Sequence, residues 1–162
     1  MIAQRIAALA LLTAAGTVAM AADAPATQTI YRAATQAPSQ GSADTFTGAV
    51  AVQPVFPAGA AVSMSAGRVT FQPGARSAWH THPAGQYLIV TAGTGWTQAE
   101  GGPVEELHEG DAVWCPPGVK HWHGATPATA MTHIALSATR DGRNVQWLEK
   151  VSEAQYRKPR DR

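Results

Sequence analysis

Five side chains in two short stretches carry most of the chemistry this sequence offers. His80 and His82 stand one residue apart, and Gln86 follows four positions later. His121 and His123 form a second pair just after the turn-forming Pro116-Pro117-Gly118. All six histidines of the chain fall between positions 80 and 133. Residues two apart on a strand project to the same side, so each pair aims its imidazoles in one direction if its segment is extended. Pro83-Ala84-Gly85 turns the chain and lets Gln86 return on the side of His80 and His82. Imidazole suits first-row transition metals, and an amide oxygen is a neutral oxygen ligand. His80, His82, Gln86 and His121 thus form a candidate metal set of three histidines and one glutamine, with other positions open to water or substrate. A lone histidine is usually a surface or satisfied core residue. A His-x-His pair with an amide four residues on and a third histidine after a proline–glycine turn points to a metal.

Such a set needs a scaffold that brings distant segments to one point. Fifteen glycines and eleven prolines punctuate short apolar runs, which favours a β-rich fold over a helical bundle. Val50, Val52, Val55 and Phe56 suggest an early strand broken by Pro54 and Pro57. Residues 61–71 form a better one. The apolar parity switches at Gly67 there, which predicts a bulge or a bend. Strands are expected over 86–91 and 96–100, interrupted by Gly93-Thr94-Gly95. Gly101-Gly102-Pro103 then turns the chain into 104–108. Further strands are expected over 112–115, 121–124, 131–137 and, past Asp141-Gly142, over 145–151. Ser152 reads as a helix N-cap with Gln155 at the capping-box position, opening a short terminal helix through Tyr156. About eight to ten short strands and one helix are the signature of a sandwich or barrel, so the fold class is all-β.

A length of 162 residues fits a single domain. A net charge of +1 with 14% charged residues provides no basic stripe for nucleic acid and no polybasic membrane patch. Arg5, the apolar residues 6–19 and the small-x-small Ala19-Met20-Ala21 read as a secretory signal peptide over 1–21. Its apolar stretch is too short to span a bilayer, so no membrane association is expected after its removal, and the destination is periplasmic or secreted. Residues 22–43 are rich in Ala, Thr, Gln and Pro and read as a flexible arm that orders only by packing on the body. The domain proper is 44–162. Cys115 is the single cysteine, which excludes an internal disulfide and reads as a packed small hydrophobe.

The spacings Gly74-x5-His80-x-His82-x3-Gln86-x6-Gly93 and Gly110-x5-Pro116-x-Gly118-x2-His121 resemble the two motifs of the cupin superfamily, in the right order. That resemblance implies a single-domain small jelly-roll β-barrel, here with a short C-terminal helix. Gln86 stands in place of the usual glutamate ligand, and Ala125 where asparagine is common. The first departure matters chemically. A neutral amide leaves the centre one unit more positive than a carboxylate would, which favours Lewis-acid work over stabilising a high-valent oxidant. A narrower resemblance extends over most of the chain. GARSAWHTHPAGQYLIVTAGTGW, VEELHEGDAVWCPPGVKHWHGA, ATAMTH and the tail VSEAQYR resemble the bacterial manganese-dependent cupin hydroxynitrile lyases.

The lyase resemblance implies that His80, His82, Gln86 and His121 hold the metal. The ion would be divalent, with manganese first and Fe2+, Zn2+, Ni2+ or Co2+ as the others that suit the set. It implies cleavage and formation of cyanohydrins on a small-molecule substrate, and a homo-oligomer, dimer or tetramer. Cyanohydrin cleavage needs a base for a hydroxyl proton and stabilisation of departing cyanide. A neutral histidine can take the proton. His123 and His133 are the candidates, and Lys120 is a candidate for stabilising cyanide. The alternatives are a supporting or structural role for either histidine and a solvated turn lysine. Ser137 stands where these lyases would carry a long polar side chain, and Tyr87 adds a bulky aromatic after Gln86. Two further functions stay open: a cupin dioxygenase acting on aromatic or flavonol-type substrates, and a cupin that binds a metal or ligand without chemistry.

Overall fold

Short β-branched runs separated by glycine and proline can bury side chains only by pairing with one another. In the computed structural model, which describes residues 27–59 and 62–157, they do so entirely in antiparallel fashion. The proposed signal peptide lies outside the described residues. The strands in chain order are β1 (Ser39–Gln40), β2 (Phe46–Thr47), β3 (Val50–Phe56), β4 (Met64–Phe71), β5 (Arg76–Ser77), β6 (His80–Thr81), β7 (Gln86–Ala99), β8 (Glu105–His108), β9 (Ala112–Cys115), β10 (His121–Ala125), β11 (Met131–Ala138) and β12 (Gln146–Trp147), followed by helix α1 (Glu153–Tyr156). The main path runs β1-β3-β4-β11-β7-β10-β5-β2, with β8 and β9 on β7 and with β6 joining β10 to β12. The result is a curled half-barrel, the all-β single domain expected.

The long strand β7 is the seam of the barrel. Its first half pairs with β9 and β11, and its second half pairs with β8 and β10. Gly93-Thr94-Gly95 therefore does not end a strand, as the sequence suggests. It lets one strand bend from one sheet into the other, with a register shift opposite Thr132/His133. Two glycines at this crossing have no room for a side chain. A Cβ on Gly95 would sit 2.0 Å from Met131 Sδ, and one on Gly124 would sit 2.5 Å from Ala75 O.

Three other local readings change. Pro54 does not break β3, because the strand lies toward the margin of the sheet where a missing N–H costs least. The bulge associated with Gly67 falls on its partner strand, between Pro54 and Phe56, while Gly67 itself pairs regularly with Ala135. Past Asp141-Gly142 the ladder is only Gln146–Trp147 long. Before β3, residues 33–35 form a single 3-10 turn, and β1 pairs Ser39 with Val52 and Gln40 with Ala51.

Two apolar cores fill the barrel. One gathers Val50, Val69, Phe71, Val90, Leu107 and Met131, and the other gathers Trp79, Val104, Trp122, Val151 and Tyr156. The capping box at Ser152 and Gln155 opens α1 as its sequence predicts. The helix docks by Tyr156, whose hydroxyl donates to Ala125 O at 2.7 Å. Arg76 fastens the same segment, donating to Val151 O and Glu153 and lying 4.5 Å from the Tyr156 ring. The chain around Arg76 continues directly into β6 and the first histidine.

Candidate metal centre

Pairing brings the two histidine segments together. β6 and β10 are antiparallel neighbours with His80 directly opposite His121. His82 follows β6, and Gln86 begins β7. The ring centroids of His80 and His121 are 4.2 Å apart, and those of His80 and His82 are 5.2 Å apart. One ligating nitrogen from each of His80, His82 and His121 lies within 4.8 Å of the others, and all three residues are buried. Gln86 Oε1 reaches to 3.3 Å from His121 Nε2, so the amide oxygen points at the same spot. The structure thus brings together all four side chains of the predicted set.

The backbone decides which nitrogens face inward. His80 Nδ1 donates to Ala78 O at 2.9 Å, His121 Nδ1 donates to Val119 O at 3.0 Å, and His82 Nδ1 donates to Asn144 O. A carbonyl can only accept, so in neutral rings each Nδ1 carries the proton and each Nε2 keeps a free lone pair. His82 Nε2 is buried with no hydrogen-bond partner. Such an orphaned acceptor costs free energy unless something coordinates it. Burial lowers the pKa of His80 well below the usual histidine value, reinforced by His121, and it lowers His121 as well. The same cause takes His82 down to about 4. The rings are therefore neutral near pH 7, the form a metal needs. Three lone pairs and an amide oxygen converging on one point fit a divalent ion.

His123 lies on the same face of β10 as His121 and lines the cavity above the centre. Its Nδ1 is 3.2 Å from His133 Nε2. His133, on β11, is fully buried behind it against Phe71 and is not part of the lining. Burial, followed by the neighbouring His133, takes His123 well below the ordinary value, and burial takes His133 down to about 4. Lys120 lies elsewhere. Its ammonium sits between Glu100 Oε1 at 2.8 Å and Glu149 Oε1 at 2.6 Å, over the Trp79 ring, and it does not line the cavity.

The cavity has a volume of about 590 Å3 and a mostly apolar wall that includes Phe46, Val52, Val69 and Trp147. Ser137 also lines it, and its hydroxyl accepts from Gln86 Nε2 at 3.2 Å. Sequence reading registers Ser137 only as an oddity, and Asn144 escapes it altogether. The Asn144 carbonyl fixes His82, and its side chain donates to Ser65 Oγ at 3.2 Å. A backbone acceptor leaves no mark on residue type. The Asp-Gly turn beside it, where Asp141 has a positive φ of 52°, is the one local signal that this loop is held.

Residues 67–135 match the cupin domain family. Over 129 residues the chain is 57% identical to an (R)-mandelonitrile lyase from Granulicella tundricola, an alignment that covers 80% of this chain and 98% of that protein. A cupin-like protein from Thermotoga maritima superposes with a TM-score of 0.71 at 45% identity, over 74% of this chain and 91% of that one. A polyketide cyclase from Streptomyces resistomycificus shares the fold alone, with a TM-score of 0.64 at 14% identity over 80% of this chain and 91% of that one.

Proposed function

The chain belongs to the cupin domain family, and on that premise we propose that it is a metal-dependent lyase that splits cyanohydrins into an aldehyde or ketone and hydrogen cyanide, and runs the reverse addition. The observation that carries this reading is the all-neutral donor set of His80, His82, Gln86 and His121 under an apolar cavity, in a chain 57% identical to a mandelonitrile lyase. His80, His82, Gln86 and His121 would hold the ion, manganese in the first instance. When bound, a divalent ion supplies uncompensated positive charge that lowers the pKa of a substrate hydroxyl. The apolar wall receives the carbon substituent and excludes water, which strengthens every electrostatic interaction inside.

His123 takes the hydroxyl proton. For this its Nδ1–H donates to His133 Nε2, which leaves His123 Nε2 free to accept. As the proton leaves, the oxygen lone pair forms the carbonyl. The bond to the nitrile carbon breaks, and its electron pair departs with cyanide. Protonated His123 then returns the proton to cyanide, so hydrogen cyanide and the carbonyl compound leave and the histidine is restored. His133 is a positioning residue, holding the tautomer of His123 from behind.

The test is to load purified protein with manganese, measure bound metal, and follow aldehyde release from mandelonitrile alongside oxygen uptake with aromatic substrates. Metal-dependent aldehyde release, lost together with metal binding in His80→Ala, is the expected result. His123→Phe keeps its metal and loses roughly 10²–10⁴-fold in kcat, the range for a general base. His133→Leu loses less kcat at nearly unchanged KM. Oxygen consumption without cyanohydrin turnover would overturn the reading.

A further inference from the structure

The cavity is larger than the proposed chemistry requires. Benzene is accommodated in an apolar cavity of roughly 150 Å3, whereas this one measures about 590 Å3. The excess has a definite place. Next to the histidines the wall is aromatic, with Trp147 4.8 Å from His80 and Phe46 5.6 Å from Trp147. Away from them, Val52, Pro54 and Phe56 of β3 all line the cavity. Beside them in the same sheet, β4 and β11 carry almost no side chain at this level. Pro54 pairs with Gly67, Phe56 pairs with Ala66, and Gly67 pairs in turn with Ala135. A Cβ placed on Gly67 would meet nothing closer than 3.7 Å. Large apolar groups on β3 beside minimal ones on β4 and β11 leave a slot over this part of the sheet, lined by both sets.

The outer end of the slot is built from the segment before the barrel. Gln36 lines it, with its Nε2 donating to Val55 O at 2.9 Å, and Gln53 Nε2 grips the same segment through Gln36 O at 2.7 Å and Ala33 O at 3.2 Å. Tyr31 packs on the Phe56 ring with centroids 6.3 Å apart. The aromatic wall of the slot is thereby held in place.

We propose that Val52, Pro54, Phe56 and Pro57, with Gln36 at the rim, form a second apolar subsite that takes a further ring, so that the preferred substrates are carbonyl or cyanohydrin compounds whose aryl group bears a second aryl or similarly large apolar extension. The head-group chemistry rests on the lyase reading; the subsite does not. Two ligands without a reactive carbonyl, benzyl alcohol and 4-phenylbenzyl alcohol, measure the subsite by calorimetry on the purified protein. The biphenyl alcohol binds at least tenfold tighter, in keeping with burial of a phenyl ring. Phe56→Ala, a truncation of a half-buried side chain, shrinks that ratio several-fold. Equal affinities for the two alcohols, or an unchanged ratio in Phe56→Ala with melting behaviour intact, would overturn the subsite. In parallel, KM for the cyanohydrin of 4-phenylbenzaldehyde is compared with that for mandelonitrile, and a value at least tenfold lower is expected. Turnover of mandelonitrile with no preference for the second ring removes the subsite alone. A biphenyl binding preference with no turnover of either cyanohydrin removes the lyase reading and leaves the subsite standing.

Discussion

Gln86 is the one member of the candidate donor set whose inward-facing atom is chosen by a neighbouring side chain. Half a turn of its amide would present hydrogens to the centre in place of an oxygen lone pair. Ser137 Oγ accepts from Gln86 Nε2 and so holds the oxygen inward. The histidines need no such partner side chain, because backbone carbonyls set them. Ser137→Ala therefore weakens metal binding by about tenfold, at the lower end of the range for losing a hydrogen bond behind a ligand. Chelator competition on the purified protein measures this directly, and Ser137→Thr restores most of the affinity. At this scale the candidate ligands are legible because imidazole and amide side chains at this spacing converge on a single point once their segments pair. The groups that orient them are not. The carbonyls of Ala78, Val119 and Asn144 belong to residues of no distinctive type, and their role exists only once β6, β10 and the 139–145 loop are folded.

Among the elements, α1 shows how a four-residue helix can matter to a site it does not touch. Tyr156 buries its ring beside Trp96 and Trp122 and donates to the carbonyl of Ala125, at the end of the strand that carries His121 and His123. Tyr156→Phe leaves that buried acceptor without its donor and costs about 1 kcal/mol. Tyr156→Ala costs about 3–5 kcal/mol, as large aromatic truncations in cores do. Chemical denaturation of the two variants distinguishes the hydrogen bond from the packing. The helix itself is legible from its capping box, a local device. The continuity of β7 is not, because Gly93-Thr94-Gly95 reads as a break when only its own residues are considered. Its strand character comes from β8, β10 and β11 on either side. Pro54 misleads for the same reason, since the tolerance of a proline depends on where its strand lies in the sheet.

For the molecule as a whole, buried histidines make stability depend on pH. His82 and His133 fold with pKa values of about 4, against 6.5 for the free side chain, because burial disfavours their charged forms. Between those values the unfolded chain binds more protons than the folded one, so acid favours unfolding. Stability is complete above about pH 6.5 and is lost as the pH falls through about 4. Thermal melts of metal-free protein across this window show a steadily declining Tm. Manganese raises the Tm at neutral pH, and the gain shrinks as protons compete for the same nitrogens. The barrel also places an indole against the ligands. Trp147 pairs directly with His80 across β12 and β6, and their rings are 4.8 Å apart. An ion seated on His80 would lie within quenching range of that indole, so this barrel carries its own optical gauge of occupancy, readable in its ultraviolet emission without a dye or a label.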